Sequence, residues 1–241
     1  MWYFTLLFVT SGVYTAQTTL SQFPYLVRIQ CTDPKVICAG SLLNEETILT
    51  AGRCVANCPT ENIVVIAGSE EYDLNFREEI SKVTQLYDGR NSLSGDDIAI
   101  ICLKSRLQYS ERIQPISIAS RRYPLGTQGV ISGWGRALPN TLRYTKVKLV
   151  SNRYCKYFYP VPHEKKICTA ESSTSAHMGN DGGPLVVENE VVGLILGKGS
   201  DYTPRLYVDV YLYRNFIKEN MCNIPYNQNS AQHNTTLSTY Q

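Results

Sequence analysis

Apolar residues fall in short runs separated by turn residues: Tyr25–Ile29, Ser41–Leu43, Thr47–Leu49, Ile63–Ala67, Ile98–Leu103, Gly129–Gly133, Lys146–Val150, Gly183–Val187, Val191–Leu196 and Arg205–Val210. Many short runs at close spacing predict an all-β chain folded as a sandwich or barrel. One stretch, 211–222, has helical spacing, with Tyr213, Phe216, Ile217 and Asn220 on a common face. The pattern changes at both ends. Trp2–Val9 is an apolar run followed by small residues, which predicts a signal peptide over 1–16 and an extracellular protein. That run is too short to span a bilayer, and no later stretch is longer, so no membrane span is expected. Residues 223–241 are polar and rich in Asn, Gln, Ser and Thr, which predicts a disordered tail. The tail carries an acceptor sequon for glycosylation at Asn234.

Composition narrows the class. The 241 residues are 43% hydrophobic and 18% charged, which excludes a disordered chain. The net charge of +2 is unevenly spread. Residues 121–170 hold ten Lys and Arg against one acid, Glu164, and acids outnumber bases on both sides of that segment. The eight cysteines have no CxxC pair, and His163, His177 and His233 stand alone, so no metal site and no cofactor is expected. An even cysteine count in a secreted chain predicts disulfides.

Five segments carry a specific resemblance. They are Phe23-Pro24-Tyr25, Cys38–Leu43 running to Leu49-Thr50-Ala51-Gly52-Arg53-Cys54, Asp97-Ile98-Ala99-Ile100, Gly133-Trp134-Gly135, and Gly179-Asn180-Asp181-Gly182-Gly183-Pro184. In this order and spacing the chain resembles the trypsin/chymotrypsin serine proteases over residues 17–222. The resemblance implies two packed six-stranded antiparallel β-barrels, one over about 17–108 and one over about 123–210, with a C-terminal helix. It also places the family's His, Asp and Ser at Arg53, Asp97 and Asp181. Only the Asp is kept. A guanidinium has no lone pair to accept a proton and stays charged, and a carboxylate offers no hydroxyl to activate. The implied chain is a catalytically inactive homologue of the arthropod type.

Other departures from the family point the same way. The residue before the nucleophile position, an Asp that pairs with the freed amino terminus in the family, is Asn180, next to Gly179 in the oxyanion loop. The pocket floor maps to Ser175, and the pocket wall glycines map to the cations Lys198 and Arg205. Two bridges, Cys38–Cys54 and Cys155–Cys168, match the family. Cys31 and Cys58 lie in loops that the family brings together, which leaves Cys102 for Cys222; the alternative for Cys102 is a free buried thiol. The acidic stretch Glu70 to Glu79 lies where some family members bind Ca²⁺, and a solvated loop is the favoured reading.

The resemblance and the charge pattern leave three functions. The first is a secreted pseudoprotease that binds an extracellular protein (protease, zymogen or inhibitor) as cofactor, decoy or regulator of a proteolytic cascade. The second is a residual hydrolase that recruits His177. The third is an adhesion protein binding sulfated glycans through Arg143, Lys146, Lys148, Arg153, Lys156, Lys165 and Lys166. Lys146 and Lys148, two apart, share one strand face. Nucleic acid is not an expected partner of a secreted chain.

Overall fold

The computed structural model describes residues 19–32, 36–70, 74–89, 95–135, 142–159, 164–170, 180–196 and 203–223. The predicted signal peptide, the residues beyond Asn223 with the Asn234 sequon, and Ser175, His177, Gly179 and Lys198 lie outside them.

The first half of the chain forms β1 (Leu26–Cys31), β2 (Val36–Asn44), β3 (Thr47–Thr50), β4 (Ile63–Ile66), β5 (Arg77–Glu78), β6 (Ile80–Tyr87) and β7 (Asp97–Leu103). They assemble as one antiparallel sheet in the order β5-β4-β1-β2-β3-β7-β6. Its two edges, β5 and β6, are separated in sequence only by Glu79, so the sheet curls round on itself. The second half forms β8 (Ser117–Ile118), β9 (Gln128–Gly133), β10 (Arg143–Val150), β11 (Lys166–Ala170), β12 (Pro184–Val187), β13 (Glu190–Ile195) and β14 (Arg205–Asp209). Here the order is β12-β9-β10-β11-β14-β13, and β12 also pairs with β13, closing a six-stranded barrel. The short β8 adds a parallel edge to β13.

Period-two alternation explains how the two barrels share their apolar residues. Every residue of β7 is buried. Ala99, Ile101 and Leu103 point into the first barrel, whereas Ile98, Ile100 and Cys102 join the cluster between the barrels. In β14, Tyr207 fills the second barrel, and Leu206 and Val208 face the seam. Strands apolar on both faces read as continuous runs, the signal that marked β7 and β14 in the sequence. Each fully buried Ile or Leu contributes about 1.5–3 kcal/mol, so the seam is a core in its own right.

Among the described residues two α-helices complete the fold. The predicted helix over 211–222 is shorter than expected: Val210–Tyr213 winds as a 3₁₀ turn, and α2 covers only Arg214–Glu219. Its predicted face holds, with Tyr213 and Ile217 buried. The sequence pattern missed α1 (Asn152–Phe158), which starts where Ser151 Oγ accepts the Tyr154 N–H. Only Cys155 of α1 is buried, so no apolar stripe announced it.

The cysteines form four disulfides, Cys31–Cys58, Cys38–Cys54, Cys102–Cys222 and Cys155–Cys168. Cys102–Cys222 fastens the segment after α2 to β7 of the other barrel, and the Cys222 N–H donates to Thr47 Oγ1 beside it.

Candidate functional site

The seam brings the Arg53–Asp97 pair close to Asp181, whose carbonyl lies 3.5 Å from the sulfur of Cys54, the residue after Arg53. Arg53 sits in a single 3₁₀ turn, Gly52–Cys54, directly after β3. The Cys38–Cys54 bridge ties that turn to β2, the neighbour of β3. Gly52 has no room for a side chain, since a Cβ there would lie 2.9 Å from Tyr87 Cβ and 3.2 Å from the Ile98 nitrogen. The turn is thereby pressed against the start of β7, where Asp97 stands fully buried.

Arg53 takes both oxygens of that carboxylate. Its backbone N–H donates to Asp97 Oδ1 at 2.8 Å, and its side-chain Nε donates to Oδ2 at 2.5 Å. The side chains are 17% and 0% exposed. A buried carboxylate needs such partners, because an unpaired one carries a large desolvation penalty.

Asp181 comes from the other barrel. Its carbonyl accepts the Ala39 N–H at 2.9 Å, so the turn before β12 docks on β2. Gly182 makes the close approach possible. Its φ is +77°, and a Cβ there would fall 2.2 Å from Thr50 Oγ1 and 2.7 Å from the Ala39 carbonyl oxygen. The Gly182 N–H bonds Ile195 and the Gly183 N–H bonds Asn180, which fixes the turn on its own barrel.

Asn180 is buried and held from both ends of its amide. Oδ1 accepts the Trp134 N–H at 3.0 Å, and Nδ2 donates to the Gly135 carbonyl at 3.2 Å. This position therefore closes a neutral network within the second barrel. Arg205, assigned above to a pocket wall, is buried in β14 opposite Thr169.

A second charged group lies behind Asp97 and was not visible in the sequence. Lys166 is 2% exposed, and its Nζ donates to the Gly95 carbonyl at 2.6 Å. Burial pushes its ammonium down to about 8, against the pull of Asp97 and Asp96. Asp96 accepts from Lys165 Nζ at 2.7 Å and from the Tyr213 hydroxyl at 2.5 Å. Burial pushes the Asp96 carboxyl up, but those bonds outweigh it and leave it below the usual range. Burial, and then the bond to Asp96, pushes the Tyr213 phenol up.

These contacts correct the expected basic face. Arg143, Lys146, Lys148, Arg153, Lys156 and Lys165 are exposed. Lys166 is not on that surface, because β11 turns it inward with Cys168. Lys165 is exposed but committed to Asp96. Among the described residues no group of three or more His, Cys, Asp or Glu is placed to hold a metal ion.

Comparison with known proteins places this geometry. The family model described as Trypsin matches residues 13–217. Trypsin theta of Drosophila melanogaster is 30% identical over 224 residues, covering 83% of this chain and 82% of that protein. Neuropsin, a serine protease expressed in the limbic system of mouse brain, superposes with a TM-score of 0.74 at 23% identity, over 86% of this chain and 98% of its own. The scabies mite inactivated protease paralogue S-I1 superposes with a TM-score of 0.74 at 22% identity, over 85% and 97%. At those identities the two structures attest the fold alone.

Proposed function

The chain belongs to the trypsin family of serine proteases, and we propose that this member has exchanged catalysis for binding, acting on an extracellular protein partner as a cofactor, decoy or regulator of a proteolytic cascade. The observation that carries this reading is the pair Arg53–Asp97. In the family's mechanism the Asp orients an imidazole that takes the serine proton and returns it to the leaving group. Here the same carboxylate orients a guanidinium, which has no lone pair to take a proton. The nucleophile position holds Asp181, a half-buried residue without a hydroxyl. Acyl transfer to an amide also needs a proton for the departing amine, and neither residue supplies one.

Four disulfides support an oxidising, extracellular setting. Among the described residues no helix is long and apolar enough to cross a membrane. The exposed Arg143, Lys146, Lys148, Arg153 and Lys156 favour a second reading, a surface for sulfated glycans.

The test is turnover. Purified protein is assayed with a broad peptide and ester substrate set and with a serine-directed covalent probe. The expected result is no turnover above a heat-killed control and no labelling. Turnover that disappears in Asp97→Ala would overturn the proposal and restore the chain to the catalytic members of its family.

A further inference from the structure

The second barrel carries a cleft of about 330 Å³ between the loop after β8 and the ends of β10, β11 and β14, with Lys166 and Glu164 in its wall. Its size is at the small end for ligand sites, enough for one side chain and its neighbours. The floor is apolar, made by Leu149 and Ile167. Leu125, 66% exposed, stands at the rim with no apolar cover.

Two arginines flank that apolar surface, and both are held in place. The Arg121 guanidinium lies 4.8 Å from the Tyr123 ring centroid and donates to Glu188 at 2.7 Å. The Arg122 guanidinium lies 6.0 Å from the Tyr211 ring and donates to Asp209 at 3.1 Å. Asp209 sits behind Arg122, 7% exposed, while the Arg122 side chain is 59% exposed. Each guanidinium has five N–H donors, so these contacts leave donors directed to solvent. The Arg214 guanidinium lies 4.2 Å from the centroid of the same Tyr211 ring. Cations already stacked and paired lose little freedom on binding, which favours a ligand that meets them.

We propose that this cleft is a docking site for an acidic segment of a partner protein, with an apolar side chain in the cleft and a neighbouring carboxylate on Arg121 and Arg122. The rim chooses the sign of the partner: Arg121 and Arg122 are exposed and keep donors beyond their bonds to Glu188 and Asp209, while of the acids lining the cleft Asp209 is buried against Arg122 and Glu164 is exposed. The apolar floor chooses its class. A sulfated glycan would satisfy the arginines but has no side chain to cover Leu125, Leu149 and Ile167. The inference deepens the binding reading by naming the partner's chemistry, and it does not depend on the loss of catalysis.

The probe is a fluorescein-labelled peptide Asp-Glu-Phe-Glu-Asp, titrated with the full chain and read by fluorescence anisotropy. The expected result is saturable binding that Arg121→Ala with Arg122→Ala weakens by about tenfold or more, as the loss of charge-assisted hydrogen bonds requires. Leu125→Asp weakens it similarly, and so does replacing the peptide Phe with Ala. All three positions are exposed, and thermal melts confirm that the variants fold. Removing the same charge outside the cleft, with Lys82→Ala on β6 and Arg112→Ala in the connection between β7 and β8, leaves affinity within about twofold, because screening weakens the reach of exposed charges. No saturable binding, or equal loss from both pairs of variants, overturns the site. Binding that ignores the Phe and yields to heparin overturns the partner class in favour of a glycan. The turnover assay above is a separate readout, so failure of the docking site and failure of the non-catalytic reading are distinguished.

Discussion

Arg53 holds Asp97 with two of its own nitrogens, one from the backbone and one from the side chain. Both oxygens of the carboxylate are thus taken by one residue, with the Lys166 ammonium behind them. Removing the guanidinium leaves the backbone N–H as its remaining contact with residue 53. Arg53→Ala is expected to destabilise the protein by about 3 kcal/mol, the lower range for breaking a buried ion pair. Arg53→His, whose imidazole N–H can donate to the same oxygen, is expected to recover part of that loss. Urea denaturation of the three proteins checks it, and equal midpoints for all three would contradict the pairing as a stabilising contact.

The Asn180 amide makes a second prediction. Its Nδ2 faces the Gly135 carbonyl and its Oδ1 faces the Trp134 N–H. Asn180→Asp turns a donor into an acceptor against a carbonyl, in a residue that is 7% exposed. The expected loss is about 1–3 kcal/mol at neutral pH, the penalty for a buried polar group without its partner. It should shrink in acid, where the protonated carboxyl regains a donor. A thermal melt series from about pH 7 down to about pH 4 reads this directly. In the family this position answers to a freed amino terminus; in this chain its amide is satisfied within the second barrel, so the variant is not expected to gain stability.

How far these features were legible varies by residue, and the reasons are physical. β7 was readable because a strand buried on both faces is an uninterrupted apolar run, Ile98 to Leu103. The Thr50-Ala51-Gly52-Arg53 turn and the Asp181-Gly182-Gly183 turn were readable through the family resemblance, and the structure gives the reason two of their positions stay Gly: a Cβ at Gly52 or Gly182 would meet neighbouring atoms. β6 was harder to read, since its half-buried and exposed residues come in pairs with no period of two and only Ile80 is buried. Lys166 was misread as surface because it follows Lys165 in a polar stretch. Its parity held the answer: it lies two residues before Cys168, and side chains two apart in a strand share a face. Asp96 and Tyr213, which complete that cluster, are far apart in sequence, and no local pattern joins them.

Lys166 also sets a pH dependence. Unfolded, it titrates near the ordinary lysine value of 10.5; folded, burial brings it down to about 8. Below about pH 8 both states carry the proton, and the folded chain bears the full penalty of the buried charge. Between about pH 8 and 10.5 the unfolded state binds more protons, so stability rises with pH. Tyr25 and Tyr213 act in the opposite sense. Burial raises both phenols above the ordinary value of 10.0, so above about pH 10 the unfolded chain ionises first and stability falls. Melting temperature is therefore expected to peak between about pH 8 and 10. Lys166→Met should abolish the rise on the acid side of that peak and keep the fall beyond it. A variant that retains the rise would show that another group produces it.

The last prediction separates the exposed cations from the buried one. Arg143, Lys146 and Lys148 lie on β10, and Arg153 and Lys156 lie on α1, which follows it directly; all five are exposed. Val147, between the two lysines, is buried, so the outer face of β10 presents its charge to solvent while the inner face packs the barrel. A surface of this kind attracts a polyanion, and salt weakens the attraction because the screening length shrinks from ~10 Å at 0.1 M to ~3 Å at 1 M. Retention on a heparin column and release by salt are expected. Replacing Lys146, Lys148, Arg153 and Lys156 with Glu should shift elution to lower salt and leave the melting temperature nearly unchanged, because exposed charges contribute about 0–1 kcal/mol each. The comparison is Lys166→Glu alone. It should lower the melting temperature sharply, since it places a carboxylate beside Asp96, Asp97 and the Gly95 carbonyl, while any folded fraction elutes close to the wild type. Lys166→Glu makes a quarter of the charge change, so if it gives about a quarter or more of the fourfold variant's shift, net charge governs retention, and β10 and α1 form no local binding surface.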